Sequence, residues 1–423
     1  MPTTARVLIC LMIALALPPA AARATQVHDT AATEQRWQEV QQTVRRHIDA
    51  GAIPGAITLV ARNGRIEYLA AQGALDATRP TPLRKDTIFW MASMTKPIIA
   101  TAVMMLVEEG KLRLEDPVSK YIPEFRAPAL VRVLRPGSVA PSAPAPNAAA
   151  DPNAAQPQYD FVPANRSITL QDLLTHTSGL QTIGVPNEAI PALTEGATLA
   201  SWVPKLVRVP LDFQPGSKWA YSNATGFEVL ARTVEIASGQ PLNQFVKQRI
   251  FVPLAMHDSS FGPQARLAAR TMALDPRFGN NPCIAGTTYF CGSAGLWMTA
   301  ADYWHFAQML LDQGTTHGKR LLRPESIKLM TSNQVGELFP GSSGVPGSGA
   351  GFGLSMLMIR DAAAAGLAVP SGSFGWDGVG TRRFWVMPEK HAVLVMLIPS
   401  GKATPVHRDI ERAVMTVLQS AAH

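Results

Sequence analysis

The chain has 423 residues and a formal charge of +7, with 47% apolar and 16% charged residues. A chain of this length can bury a large core and is long enough for two domains. Its lysines and arginines are scattered and form no basic run interleaved with aromatic residues, so the composition gives no indication of a nucleic-acid partner.

The first 24 residues are typical of a cleavable secretory signal. Arg6 precedes an apolar run, Val7–Leu17, and Ala22-Arg23-Ala24 suits cleavage after Ala24. The run is too short to span a bilayer, although a membrane anchor is the alternative. Cleavage removes Arg6 and Arg23 and leaves a formal charge of +5. The sequence therefore predicts a periplasmic or secreted protein without a membrane anchor after cleavage.

Two cysteines remain after cleavage, Cys283 and Cys291. In an oxidising compartment they could form a disulfide that closes the loop between them, or they could remain free thiols. Neither a His-Glu-x-x-His motif nor a histidine–cysteine cluster with metal-ligand spacing occurs in the sequence. We therefore expect neither a metal ion nor a cofactor.

The chain after the signal begins with a predicted helix and a predicted hairpin. Residues 33–50 repeat apolar side chains at helical spacing, which predicts an amphipathic helix. Two apolar runs, Gly55–Arg62 and Arg65–Ala70, flank Asn63-Gly64, and this dipeptide is the strongest short-range signal for a β-hairpin. Together they indicate an α/β start.

The motif Ser93-Met-Thr-Lys96 lies at the start of a second predicted helix, Ile98–Glu109. Its spacing puts Ser93 and Lys96 on one helical face, so the ammonium can approach the hydroxyl. A serine hydroxyl needs an adjacent base to become a nucleophile, and burial lowers the pKa of lysines so that they can act as bases. N–H groups at a helix start also favour negative charge. The simpler interpretation is that Ser93 caps the helix and Lys96 is solvated.

Periodicity is lost after about residue 116, and Pro136–Gln158 is rich in proline, alanine, asparagine and serine. Such a composition is typical of a flexible surface insertion. We therefore expect a chain that lacks residues 136–158 to fold and to remain active, with a melting temperature close to that of the full chain. A large drop in melting temperature on deletion would show instead that the tract packs against the fold.

Order resumes at Ser167–Leu180, which predicts a short capped helix that ends near Gly179. His176 in this segment could act as a general base. The interpretation that we favour is a hydrogen-bonded structural histidine at a helix end, because Lys96 and a tyrosine further along already supply bases.

The second motif, Tyr221-Ser-Asn223, follows a Pro-Gly turn and precedes a predicted helix, Gly226–Ser238, closed by Gly239. A tyrosine hydroxyl held near a lysine ammonium can share acid and base duties. Asn223 could hold a substrate carbonyl or orient Lys96. The alternative is that Asn223 is a helix N-cap and that Tyr221 packs in the core.

The remaining chain predicts an antiparallel sheet, because consecutive strand-like runs are joined by short turns. The predicted strands are Phe352–Ile359, Gly372–Trp376, Thr381–Met387 and His391–Ile398. Further helices are predicted from Thr299 through Leu311 and from about Val406 to Ser420. We therefore predict an α+β fold in which this sheet packs against the first and last helices. Residues 25–92 and 286–423 would form the sheet domain, and residues 93–285 an inserted, mostly helical domain.

The third motif is the glycine-rich stretch Gly375–Thr381. Glycines let a strand at the edge of a cleft approach a ligand closely. A backbone N–H of this strand could form an oxyanion hole together with the N–H of Ser93. The alternative is an ordinary glycine-rich turn between strands.

With these three motifs in this order, the chain resembles the serine hydrolases of the class C β-lactamase and penicillin-binding type. It is most similar to the family VIII esterases among them, and the resemblance spans residues 52–398 apart from the 136–158 tract. The resemblance implies that Ser93 is the nucleophile, Lys96 the base, Tyr221 a proton shuttle and Asn223 a substrate contact.

The third motif departs from the family's patterns. β-Lactamases of this type carry Lys-Thr-Gly there and esterase-like members carry Trp-Gly-Gly, whereas this chain has Trp376-Asp377-Gly378. The missing lysine should weaken recognition of a β-lactam carboxylate, unless Arg382 or Arg383 replaces it. Asp377 could disfavour anionic substrates or could point to solvent. The resemblance implies that Trp376 and Gly378 line the site and that Val379 supplies the second oxyanion N–H.

The sequence therefore predicts an exported serine hydrolase that forms an acyl-enzyme on Ser93, with a small-molecule ester as substrate. One alternative keeps the mechanism but cleaves an amide, as a β-lactamase or a D-amino-acid peptidase or transpeptidase does. Another is a non-catalytic, penicillin-recognising envelope protein, against which the intact Ser93, Lys96 and Tyr221 argue. A lipase-type α/β-hydrolase is set aside because no Gly-x-Ser-x-Gly motif occurs. The oligomeric state does not follow from the sequence.

Overall fold

A computed structural model of the chain describes residues 35–75, 81–138, 157–182, 189–274, 281–342, 344–379, 381–399 and 403–420. The signal predicted for residues 1–24 lies outside these ranges. Within the ranges, we find no helix that combines the length and the apolar character needed to cross a membrane.

Helices and strands are interspersed along these ranges. The α-helices are Gln38–Asp49 (α1), Thr95–Glu108 (α2), Leu170–Leu174 (α3), Leu199–Trp202 (α4), Thr225–Ser238 (α5), Leu242–Val246 (α6), Pro282–Ala285 (α7), Ala300–Leu311 (α8), Pro324–Thr331 (α9), Ala362–Ala365 (α10) and Ala403–Ser420 (α11). The strands are Gly55–Arg62 (β1), Arg65–Gly73 (β2), Phe89–Trp90 (β3), Leu130–Leu134 (β4), Tyr159–Pro163 (β5), Ser260–Phe261 (β6), Leu296–Met298 (β7), Thr315–Thr316 (β8), Lys319–Arg320 (β9), Gly341–Ser342 (β10), Val345–Pro346 (β11), Ala350–Phe352 (β12), Leu357–Ile359 (β13), Phe374–Gly378 (β14), Arg382–Met387 (β15) and Ala392–Leu397 (β16).

A seven-stranded sheet in the order β12-β13-β14-β15-β16-β1-β2 forms the centre of the fold. Every neighbouring pair in it is antiparallel, as predicted. The two strands of the N-terminal hairpin meet at Asn63-Gly64, where both residues have positive φ, 51° and 73°. That conformation is the one that an Asn-Gly hairpin turn requires. The hairpin prediction is therefore confirmed.

The two faces of the sheet carry different helices. On β15, the side chain of Phe384 lies 4.9 Å from Tyr303 of α8, measured between ring centroids. The next residue, Trp385, donates its indole N–H to Glu411 of α11 on the opposite face at 2.7 Å. Successive side chains of a strand point to opposite faces. The N-terminal helix α1 packs against α11 and β2, so the first and last helices flank the sheet as predicted.

Two predicted elements are cut short or interrupted by a residue in the left-handed conformation. The helix predicted within Ser167–Leu180 spans only Leu170–Leu174, and it is capped by reciprocal hydrogen bonds between Thr169 and Asp172. It ends early because His176 adopts φ 59°, in the left-handed region. The strand predicted over Phe352–Ile359 is interrupted between β12 and β13, because Ser355 also has a positive φ, 73°.

The region predicted to lack order contains a two-stranded ribbon. Strands β4 and β5 pair from Leu130 with Pro163 to Leu134 with Tyr159. Most of the predicted 136–158 insertion, residues 139–156, lies outside the described residues, so its flexibility stays a prediction. The division into residues 25–92 with 286–423 and an inserted 93–285 domain also stays a prediction.

Candidate active site

Ser93 lies in a tight turn that joins a strand to a buried helix. Strand β3 leads into a 3₁₀ turn, Ala92–Met94, and α2 follows directly at Thr95. Ala92 has φ 48°, a backbone conformation that is energetically unfavourable for any residue with a side chain. The segment is fixed from outside by the backbone hydrogen bond from Met91 N–H to the Leu296 carbonyl of β7 at 2.8 Å. The Ser93 hydroxyl is therefore held at a helix start.

Lys96 is fully buried and is surrounded by three acceptors. Its Nζ lies 3.1 Å from Ser93 Oγ, 2.9 Å from the Asn223 carbonyl oxygen and 3.1 Å from the Ser293 carbonyl oxygen. A carbonyl oxygen accepts hydrogen bonds and has no proton to donate. The two carbonyls can therefore each accept an N–H of Lys96, while the third contact of Nζ is with the Ser93 hydroxyl. The alternative of a solvated Lys96 is excluded by its burial.

Tyr221 approaches Ser93 from the other side. Its hydroxyl lies 2.8 Å from Ser93 Oγ, and Lys96 Nζ lies 5.1 Å from the centroid of its ring. Ser93 Oγ thus has two possible proton partners within hydrogen-bond distance, which is the geometry that general acid–base catalysis requires.

Asn223 contributes to this site through its main chain, since its carbonyl oxygen accepts the hydrogen bond from Lys96. The N-cap of α5 is Ala224, without a side-chain capping bond, so the N-cap alternative for Asn223 is wrong. Asn223 is exposed, and a role of its side chain as a substrate contact stays a proposal.

His176 is buried beside these groups but faces Tyr221 and not Ser93. Its Nδ1 accepts the backbone N–H of Ser222 at 3.2 Å, and its ring lies 4.6 Å from the Tyr221 ring. Burial, and secondly the charge of Lys96, lowers the pKa of His176 well below its usual value. These contacts fit the interpretation of His176 as a structural histidine, because they support the Tyr221–Asn223 segment.

The third motif divides its side chains between the two faces of the sheet. Trp376 is buried on the face that carries α8, and its ring lies 5.4 Å from the ring of Tyr221. Trp376 therefore forms an aromatic wall beside the proposed proton shuttle. The next residue, Asp377, points to the other face, because side chains alternate along a strand.

Gly378 brings the end of β14 against the turn that holds Ser93. A Cβ atom at this position would lie 2.4 Å from the Met91 carbonyl oxygen, so only glycine allows this approach. Val379 follows and is 56% exposed. Within the part of the chain that the structure describes, the N–H groups of Ser93 and Val379 donate to no other protein group. Both are therefore available to an oxyanion, the role that we propose for them.

Asp377 forms an ion pair with Arg383, so the interpretation that its carboxylate simply points to solvent is wrong. An effect of Asp377 on anionic substrates stays a prediction. Arg383 donates to its two oxygens at 2.7 and 2.8 Å, and it also donates to Glu411 of α11 at 3.1 Å. Although burial alone would lower the pKa of Arg383, the two carboxylates raise it. Arg382 is buried and donates to the Val379 carbonyl at 2.7 Å, and burial lowers its pKa to about 10. Neither arginine is free to replace the missing lysine.

Replacement of Arg383 by methionine is expected to destabilise the fold strongly. The side chains of Arg383 and Glu411 are 4% and 1% exposed, so the change would leave a buried carboxylate without its cation. Removal of one partner of a buried ion pair costs about 3–5 kcal/mol in free energy of unfolding. We expect the denaturant midpoint, followed by tryptophan fluorescence, to fall accordingly.

The matched control is Arg360→Met, which breaks an ion pair with Glu337 at the surface, where the glutamate side chain is 85% exposed. Solvent screens such pairs, so the control should leave the midpoint almost unchanged. An equal and small effect of both changes would contradict the role assigned to the buried pair.

Cys283 and Cys291 form a disulfide, so the alternative of two free thiols is wrong. Glu228 lies near both sulfur atoms. Sulfur atoms joined in a disulfide have no thiolate to offer a metal ion, however, and this cluster is therefore no metal site.

Ser293 also belongs to the site, although no sequence motif indicated it. Its contribution is a backbone carbonyl, which every residue type possesses, so no motif could have identified it.

Comparisons with known proteins agree with this geometry. The protein family described as Beta-lactamase matches residues 40–418. The chain belongs to this beta-lactamase family. Among its relatives, esterase EstB of Burkholderia gladioli is 30% identical over 359 residues, with 77% of this chain and 80% of EstB covered. Penicillin-binding protein 4 of Amycolatopsis lactamdurans is 29% identical over 389 residues, with 90% of this chain and 88% of that protein covered.

A solved structure of EstCE1, described as a hydrolase with promiscuous acyltransferase activity, has the same fold. It superposes with a TM-score of 0.69 at 24% sequence identity, and the match covers 91% of this chain and all of EstCE1. The beta-lactamase-family resemblance predicted from the three motifs is thus confirmed, and the chain is a serine hydrolase of this family with esterase relatives.

Proposed function

We propose that this beta-lactamase-family protein is a carboxylic-ester hydrolase that forms an acyl-enzyme on Ser93. The observation that carries the proposal is the position of Ser93 Oγ between Lys96 Nζ at 3.1 Å and the Tyr221 hydroxyl at 2.8 Å. The 30% identity to esterase EstB supports the ester as substrate class.

In the proposed reaction, Ser93 Oγ attacks the ester carbonyl carbon while its proton passes to Lys96 Nζ. The N–H groups of Ser93 and Val379 stabilise the negative charge that develops on the carbonyl oxygen. The alcohol then leaves with a proton delivered through the Tyr221 hydroxyl. A water molecule hydrolyses the acyl-enzyme by the reverse proton movements and restores the Ser93 hydroxyl.

The third motif favours a substrate that is neutral at this end of the site. A β-lactam carries a carboxylate, and such a group needs a cation that can form a charge-assisted hydrogen bond. Trp376 presents an aromatic ring instead, while Arg383 is bound to Asp377 and Glu411 and Arg382 is bound to Val379. An ester with an apolar or uncharged group fits these surroundings better than a β-lactam.

Paired steady-state assays test the substrate class. We expect the purified chain to hydrolyse a short-chain p-nitrophenyl ester in a Ser93-dependent manner and to turn over a chromogenic cephalosporin poorly. Efficient cephalosporin turnover would make the protein a β-lactamase with an unusual third motif. Absence of both activities would move the proposal to D-amino-acid peptides or to a binding role.

We also propose that the protein is exported and that its signal is removed after Ala24. The composition of residues 1–24 supports this, and so does the Cys283–Cys291 disulfide, because disulfides persist in oxidising compartments. Mass spectrometry of the secreted or periplasmic form should give a chain that begins at Thr25. A cytoplasmic chain that retains residues 1–24 would contradict export.

A further inference from the structure

Glu228 is a buried carboxylate for which the proposed reaction gives no role. It lies one turn into α5 and is 2% exposed. Its two oxygens accept the backbone N–H groups of Gly292 and Ser293, each at 3.0 Å. Burial raises the pKa of Glu228, although these hydrogen bonds and the charge of Lys96 act in the opposite direction. A buried carboxylate is costly, so its retention requires an explanation.

The Glu228 carboxylate is connected to Lys96 through a single residue. Ser293 donates its N–H to Glu228, and its carbonyl oxygen accepts the hydrogen bond from Lys96 Nζ at 3.1 Å. If the Ser293 N–H shifts, the carbonyl of the same residue shifts with it, and this carbonyl accepts the hydrogen bond that orients the Lys96 amine. The second carbonyl that accepts from Lys96 belongs to Asn223, which lies two residues before the start of α5. One helix thus organises both carbonyl acceptors of Lys96.

The Cys291–Ser293 segment is also restrained by contacts other than its hydrogen bonds to Glu228. A Cβ atom on Gly292 would lie 2.4 Å from the Phe227 carbonyl oxygen and 2.7 Å from the Ala231 side chain, so the segment packs directly on α5. Cys291, the residue before it, is tied to Cys283 by the disulfide. The segment is held at three successive residues, and Glu228 supplies the polar part of that restraint.

We propose that Glu228 is a positioning residue, which fixes the Ser293 carbonyl and thereby directs the Lys96 amine at Ser93. This inference rests on the proposed function, in which Lys96 accepts the Ser93 proton. Within the described residues, no hydrogen bond joins Glu228 to Ser93. Glu228 acts through the backbone of Gly292 and Ser293 and through its charge.

The charge of Glu228 has a second consequence. The ionisable groups that face it are Lys96 and Tyr289, and those that face Lys96 in turn are Tyr221 and His176. A buried negative charge favours the protonated form of a neighbouring amine. Removal of the charge should therefore move the acid limb of the pH profile of kcat/KM to lower pH.

The test compares Glu228→Gln with Glu235→Gln. Glu235 lies two turns further along α5 and pairs with Arg232 at 2.9 Å, so it is a matched glutamate without a contact to the acceptors of Lys96. The amide of Glu228→Gln keeps the shape but presents an N–H group to one of the two backbone N–H groups. We expect kcat on a p-nitrophenyl ester to fall by about 10- to 100-fold, the cost of a small misplacement of a reacting group.

In Glu228→Gln we further expect a KM within twofold of wild type and an acid limb of the kcat/KM profile at lower pH. In Glu235→Gln we expect kcat, KM and the pH profile to equal those of wild type. Wild-type kcat and pH profile in Glu228→Gln would overturn the proposal. A loss of activity that only follows a smaller folded fraction, with kcat per folded molecule unchanged, would also overturn it.

Glu228→Asp serves if the glutamine variant does not fold. It keeps the charge but withdraws the carboxylate by one methylene, so we expect a lower kcat with the acid limb at the wild-type pH. A wild-type kcat in this variant would overturn the proposal.

If wild type itself hydrolyses no ester, the proposed function fails separately. In that case the role of Glu228 is tested by the rate at which an alkyl fluorophosphonate modifies Ser93. This rate should be about 10- to 100-fold lower in Glu228→Gln than in wild type.

Discussion

Replacement of Ser93 by alanine is expected to abolish ester hydrolysis while the chain remains folded. The acyl-enzyme forms on Ser93 Oγ, so its removal eliminates the covalent route, and losses of about 10⁴-fold or more in kcat are usual for such nucleophiles. The hydroxyl makes two hydrogen bonds at the site, to Lys96 and Tyr221, and its loss creates no cavity larger than one oxygen atom. Initial rates and a thermal melt of the same preparation measure both effects.

Ser217→Ala is the matched control, because Ser217 is an exposed serine four residues before Tyr221. It should retain wild-type kcat and KM. Residual turnover by Ser93→Ala within tenfold of the control would show that another group is the nucleophile.

Replacement of Lys96 by alanine is expected to have the second-largest effect. It removes the group that takes the Ser93 proton, and a positioned base contributes about 10²- to 10⁴-fold to the rate. It also leaves the carbonyls of Asn223 and Ser293 without their donor inside the protein, which adds a moderate cost in stability. We expect kcat to fall by about 10³-fold or more.

Lys120→Ala provides the control for charge, because the Lys120 side chain is 52% exposed and pairs with Asp116 at the surface. Its activity should equal that of wild type. Lys96→Met, which fills most of the same space without a basic atom, should be as inactive as Lys96→Ala. Near-wild-type turnover in either Lys96 variant would mean that the proton goes elsewhere.

The parts of the fold that follow from local sequence were predicted well. The hairpin at Asn63-Gly64 follows from the backbone preferences of two residues, and so does the end of α5, where Gly239 adopts φ 70°. The interruption between β12 and β13 was missed, because serine at position 355 is not a residue that normally marks a left-handed turn. Its conformation is imposed by contacts such as the hydrogen bond from its N–H to the Leu174 carbonyl at 2.9 Å.

The site was predictable as far as side chains act in recognisable motifs. The spacing of Ser93 and Lys96 places them together on any helix, and the resemblance added Tyr221. The partner of Asp377 was not predicted, because it depends on the register of β14 with β15, which sets Asp377 opposite Arg383. Ser293 and Glu228 were missed because backbone carbonyls and buried carboxylates at variable distances leave no pattern in the sequence.

Covalent labelling of Ser93 tests the central claim most directly. An alkyl fluorophosphonate reacts with a serine whose hydroxyl is activated by a neighbouring base, and the phosphorus adduct is stable enough for peptide mapping by mass spectrometry. We predict one adduct per chain, on the peptide that contains Ser93, with labelling lost in Ser93→Ala and strongly slowed in Lys96→Ala. An unlabelled wild-type chain, or a label that persists in Ser93→Ala, would contradict the assignment of Ser93 as the nucleophile.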